Sequence, residues 1–171
     1  MRYLLCLCLA MASVAQAEQW FSKNAFPNLL ESSGWQNGDF RLRTSIYSVH
    51  YDPKPEHNNH QRLISVDYVR TDDWFVGAAL FDNSFGQPSQ YVYLGKDWWF
   101  IDEGDWRLRG SLSAGFLHGY KDEYKDKIPF NNLGVAPAIL PALGLTYRQS
   151  VFVEVQFFAA AGAMATVGYR F

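Results

Sequence analysis

The chain has 171 residues, with 15 Lys and Arg against 17 Asp and Glu, a formal net charge of −2, and 17% aromatic residues. A near-neutral chain without a basic stripe excludes nucleic acid as a partner. Its two cysteines, Cys6 and Cys8, both lie near the start, which excludes a disulfide framework and thiolate chemistry in the rest of the chain.

Arg2, the apolar run from Tyr3 to Ala12 and then Ala15-Gln16-Ala17 read as a secretory signal over residues 1–17, cleaved after Ala17. Losing Arg2 takes the formal net charge from −2 to about −3. Beyond the signal no apolar run is long enough for a membrane-spanning helix. A secreted, aromatic-rich, cysteine-free chain of this length suits one domain, either a periplasmic β protein or an outer-membrane barrel. Residues 18–40 form a prelude, in which Trp20, Phe21, Phe26, Leu29, Leu30 and Trp35 recur at loose helical spacing, interrupted by Pro27. They suit a short amphipathic helix, lying on a membrane surface or docked beneath a barrel.

Residues 41–171 read as eight strands, 41–50, 62–70, 74–81, 89–101, 106–117, 135–147, 151–158 and 163–171. The fifth alternates most cleanly: Trp106, Leu108, Leu112, Ala114 and Phe116 would face lipid, and Arg107, Arg109, Ser111 and Ser113 would face inward. The last pairs an aromatic terminus, Tyr169 and Phe171, with Ala163, Ala165 and Val167 on one face, and Met164, Thr166, Gly168 and Arg170 on the other. Tight turns after Arg70, Ile101 and Tyr147 alternate with longer connections after His50, Phe81 and Leu117. The expected fold is all-β: an eight-stranded antiparallel up-and-down transmembrane barrel with a short N-terminal amphipathic helix. The short connection after Phe158 departs from that rhythm.

A barrel of this size is filled by side chains or holds one small ligand. The strand Trp74 to Phe81 and the stretch Leu133 to Leu145 carry apolar or small residues on both faces, which suits a wall between lipid and an apolar interior. Arg107 and Arg109 place a polar half elsewhere, so a split lumen is expected, polar towards the tight turns and apolar above. A dry core without a ligand has the same signature. Pro137 and Pro141, four apart, remove two ladder donors on one side of their strand, which predicts a seam that opens sideways to the bilayer.

Up-and-down topology brings the end of strand one, His50, to the same rim as Asp82-Asn83-Ser84 after strand three. An imidazole can take a proton from a hydroxyl near neutral pH, a serine can act as nucleophile or oxyanion donor, and Asp82 or Asn83 can orient the imidazole. From Trp20 to Phe171 the chain resembles the lipid A palmitoyltransferase (PagP) family of outer-membrane enzymes. The likeness lies in the amphipathic start, His50, the run Phe81-Asp82-Asn83-Ser84-Phe85, Gly95, and Ala136-Pro137-Ala138-Ile139-Leu140-Pro141-Ala142 leading to Gly144-Leu145-Thr146-Tyr147. The resemblance implies a catalytic His50 and Ser84, with Asn83 standing where the family has its catalytic Asp, and Gly95 as floor of an acyl pocket. It also implies a lateral gate at Pro137 and Pro141, a phospholipid donor, a lipid A acceptor, no cofactor, a monomer, and an active rim facing outside a Gram-negative outer membrane. His57 and His60, with Glu56, lie in loop one, where headgroup or solvent contacts suit them better than a metal. Two other readings stay open: a non-catalytic barrel, structural, adhesive or conducting an apolar solute, and a lipid A deacylase. The deacylase would be expected to carry a His-x-Ser pair, which the chain lacks.

Overall fold

The computed structural model describes residues 32–171. The expected signal and most of the amphipathic prelude therefore lie outside the described residues. A short 3-10 helix, Ser32–Trp35, comes first. Eight strands follow: β1 (Asp39–His50), β2 (Leu63–Val69), β3 (Trp74–Asp82), β4 (Pro88–Asp102), β5 (Trp106–His118), β6 (Val135–Tyr147), β7 (Val151–Phe157) and β8 (Gly162–Arg170). Each pairs antiparallel with the next, and β8 returns to β1, so the barrel is closed. Phe40 and Phe171 exchange both backbone hydrogen bonds at 2.9 Å across that closure, which leaves no free sheet edge there.

The strand boundaries fall within two residues of those expected from period-two alternation, and the tight turns lie where expected. Arg148 and Gln149 both have positive φ (47° and 62°), and Ser150 N–H donates to the Tyr147 carbonyl at 3.2 Å. This is the mirror-image turn whose twist matches a hairpin, built here without glycine. The charged loop after β5 holds an element that the sequence reading did not anticipate, a 3-10 helix over Asp122–Lys127.

The outer wall is apolar. Leu80, Val92, Phe116 and Ile139 point outward and are 58–67% exposed. Water solvates such a belt poorly, whereas hydrocarbon solvates it well, so this is the exterior of a barrel that sits in a membrane.

Inside, the lumen is divided. Near the tight turns three arginines face three carboxylates, all buried. Arg41 Nε donates to Asp67 Oδ2 and its Nη1 to Asp97 Oδ2, both at 2.7 Å. Arg43 donates to Asp67 (2.9 Å) and to Glu154. Arg109 donates to Asp97 (2.9 Å) and Glu154 (2.6 Å). The charges cancel, and Tyr93 and Ser111 donate further hydrogen bonds to Asp67 and Asp97, each at 2.5 Å. The ring of Phe75 lies under Arg41 and that of Phe152 under Arg109, 4.6 and 4.8 Å from the guanidinium carbons. This plug forms the polar half expected from Arg107 and Arg109. Arg107 itself is not part of it; its partner is Asp102, across the tight turn between β4 and β5.

Two features of register prepare the opposite half. In β1 the pairing with β8 shifts between Ser45 and Tyr47, so Ile46 and Tyr47 both point outward, 58% and 43% exposed. Without this bulge the parity of Arg41 and Arg43 would send His50 out of the barrel. With it, Ser48 and His50 turn inward. In β6 the ladder with β7 ends at Ala142↔Gln156, whereas the ladder with β5 runs on to Val135. Val135–Pro141 thus pairs on one side only.

Candidate functional site

Above the ion plug the lumen opens into a cavity of about 300 Å³, at the small end of the roughly 300–1,000 Å³ of ligand pockets. Leu63, Ala79, Tyr91, Leu117, Leu140 and Met164 contribute apolar wall, and Phe75, Tyr93 and Arg43 lie on its plug side. Its lining includes both His50 and Ser84. The topology therefore brings the two sequence-predicted residues together at one end of one apolar chamber. The cavity also reaches the unpaired stretch of β6, because outward-pointing Ile139, together with Phe158 and Ala159 beyond β7, bounds it. Pro137 and Pro141 lie on this stretch, pointing outward opposite Phe116 and Leu112 of β5.

The rim chemistry is built mainly by loop one, residues 51–62. The end of this loop is pinned to β1 after the β1–β2 ladder stops at Thr44↔Ile64. Ser45 Oγ donates to the Gln61 carbonyl at 2.6 Å and accepts from Leu63 N–H at 3.0 Å. The Ser48 N–H and hydroxyl both donate to the Asn59 carbonyl, at 3.1 and 3.0 Å. Held there, Asn59 places its side-chain oxygen 2.7 Å from His50 Nδ1. On the other side of the chamber, Asn58 N–H donates to the Ser84 carbonyl at 2.8 Å and Gln61 Nε2 to Ser84 Oγ at 3.2 Å. Tyr120 lies beside Ser84, and burial pushes its hydroxyl above the ordinary phenol range, so it stays protonated.

The two residues expected to orient the imidazole are engaged elsewhere. Asn83 is fully buried, and its side-chain oxygen accepts from the Phe85 and Gln87 N–H groups at 2.9 and 3.0 Å. It closes the turn that presents Ser84, a local role for which Asn is well suited. Asp82 accepts from Arg62 Nε at 2.8 Å on the outer surface. Gly95 points into the lumen, but the edge of the Phe75 ring occupies the space a side chain would need, and the Leu112 carbonyl oxygen would lie 2.7 Å from a Cβ. On its way down, the chamber meets Phe75 rather than Gly95.

An aromatic row roofs this end. The His50 and His57 rings lie 4.2 Å apart, Phe85 sits edge-on to His57 at 5.6 Å, and Tyr124 stacks on Phe85 at 4.0 Å. Burial, and then the neighbouring His50, hold the His57 imidazole below its ordinary value. His60 packs against Tyr47 instead. No group of three or more metal-ligating side chains forms among the described residues.

The sequence reading missed the charge partners of the plug, and also Asn59, Gln61 and Tyr120. The plug had a visible signal, since Arg41, Arg43, Asp67, Asp97 and Glu154 all occupy inward positions of their strands. The rim polar residues had none, because a loop has no period from which to read direction.

No protein-family model matches the chain, and no curated protein does. Among solved structures it is similar to the outer-membrane protein Ail of Yersinia pestis. Ail in a phospholipid bilayer nanodisc is 14% identical, with TM-score 0.41, covering 79% of this chain and all of Ail. Ail in complex with the heparin analogue sucrose octasulfate is 15% identical, with TM-score 0.40, covering 80% of this chain and all of Ail.

Proposed function

We propose that this barrel is an outer-membrane acyltransferase that moves a long acyl chain from a phospholipid to a hydroxyl of lipid A, with its rim facing outside. One observation carries the reading: His50 and Ser84 share an apolar chamber that reaches an unpaired stretch of the barrel wall. An acyl chain passing from the bilayer into that chamber exchanges one apolar surrounding for another, so entry costs little beyond ordering the chain. Donor entry is assigned to the proline strand, where β6 lacks its β7 ladder.

In the reaction, the acceptor hydroxyl loses its proton to His50 Nε2 as its oxygen attacks the donor ester carbonyl. The tetrahedral oxyanion is met by donors among Ser84, Gln61 and Tyr120. The ester C–O bond then breaks, and the imidazolium returns its proton to the leaving lysophospholipid alkoxide. No group outside the chain and its two substrates enters this balance.

Lipid A mass spectrometry, with and without the protein, tests the reading. A gain of one long acyl mass that disappears in His50→Ala and Ser84→Ala is the expected result. An unchanged profile with native protein overturns it and favours a non-catalytic barrel. One observation favours that second reading: among the described residues the partner of His50 Nδ1 is the Asn59 side-chain oxygen, and no carboxylate lies within hydrogen-bond reach of the ring.

A further inference from the structure

We infer that Asn59 is the residue that positions His50, and that Asn58–Gln61 is the brace that sets His50 against Ser84. The inference rests on the acyltransfer reading for its chemistry, but its geometry stands by itself.

The polar neighbours of His50 settle which residue does the orienting. Asp82 is held by Arg62, and both acceptor directions of the Asn83 oxygen are taken by backbone N–H groups. Neither can turn to His50 without releasing what it holds. Asn59 touches it already, at 2.7 Å. A carbonyl oxygen only accepts, so the hydrogen of the neutral imidazole sits on Nδ1 and the lone pair on Nε2. That is the tautomer a general base needs if Nε2 faces the chamber.

Asn59 is itself immobilised, because its backbone carbonyl takes two hydrogen bonds from Ser48, two residues before His50 on the same strand. The bulge at Ile46 makes this possible by turning Ser48 and His50 inward together. One residue before it and two after, the same loop grips the other partner: Asn58 N–H holds the Ser84 carbonyl, and Gln61 holds its hydroxyl. Four consecutive residues therefore tie β1 to the loop after β3 across the mouth of the chamber. A neutral amide fixes the ring without adding charge, so Asn59 positions the imidazole and does not stabilise imidazolium as a carboxylate would.

The test uses the refolded full barrel in bilayer nanodiscs, with ¹⁵N-imidazole labelling and a parallel acyltransfer assay. Native protein is expected to show His50 protonated at Nδ1. In Asn59→Ala the signal should move to a mixture of tautomers, and kcat should fall on the order of 10²-fold, within what a positioned general base contributes, with KM little changed. Asn59→Asp, which keeps an acceptor in place, should restore the Nδ1–H form and most of the rate. A native His50 protonated at Nε2, or an unaltered tautomer in Asn59→Ala, overturns the inference. If no acyl transfer occurs in native protein, the proposed function fails, and the tautomer measurement still decides the role of Asn59.

Discussion

Asp97→Ala strikes the division of the lumen directly. Asp97 accepts from Arg41 at 2.7 Å, from Arg109 at 2.9 Å and from Ser111 at 2.5 Å, and it is buried with both arginines. Removing it leaves three arginines facing two carboxylates, all buried away from the surface. Breaking a buried pair from one side costs about 3–5 kcal/mol. With a urea slope of about 2 kcal/mol per M, the unfolding midpoint should fall by roughly 2 M. The assay is urea unfolding of the barrel from phospholipid bilayers, followed by tryptophan fluorescence. Asp97→Leu combined with Arg109→Leu removes one charge of each sign and should recover most of the loss, because a buried pair replaced by packed apolar groups is often close to neutral. A loss under about 1 kcal/mol for Asp97→Ala, the range of exposed pairs, would refute the reasoning. The lumen would then be a wet tube, and the chamber above it would have no dry floor.

Asn83→Ala should lower stability by about 1–3 kcal/mol, since two backbone donors lose a buried acceptor, whereas Asn83→Asp keeps the acceptor and most of the stability; thermal unfolding of both variants checks this. Gly95→Ala puts a methyl where the Phe75 ring edge lies. The ring must move into the chamber, and the transferred acyl chain should shorten by about one to two methylenes at about 0.8 kcal/mol each, read by mass spectrometry of the product. His57 supplies a pH dependence. Its folded-state value lies below the ordinary imidazole value, so the stability it contributes is present above that value and lost as pH falls through the folded-state value. The protection of the Asn58 amide, which bonds Ser84, against hydrogen exchange, taken relative to the unstructured chain at the same pH, should therefore fall on acidification, and His57→Phe should flatten the response.

The barrel could be read from the chain because its wall has one repeat. Each strand must present apolar groups to hydrocarbon at every second position, so Trp106, Leu108, Leu112, Ala114 and Phe116 announce β5 and its direction together. The same alternation, read on the inward side, locates the polar half of the lumen, although only contact distances reveal that Arg41, Arg43 and Arg109 are neutralised by Asp67, Asp97 and Glu154. Topology, once counted, also brings His50 and Ser84 to one rim. What local pattern could not convey is which polar groups meet there. A single bulge at Ile46 inverts the facing of everything after it. The pairing of β6 with β7 stops where β7 runs out of residues. The partner of His50 comes from a loop whose conformation depends on Ser45 and Ser48 reaching across from β1. Alternation is a property of consecutive residues, and so it is written in the sequence. The contacts of Asn59 and Phe75 join residues whose separation in the chain says nothing about their distance in space, and only the closed barrel sets those distances.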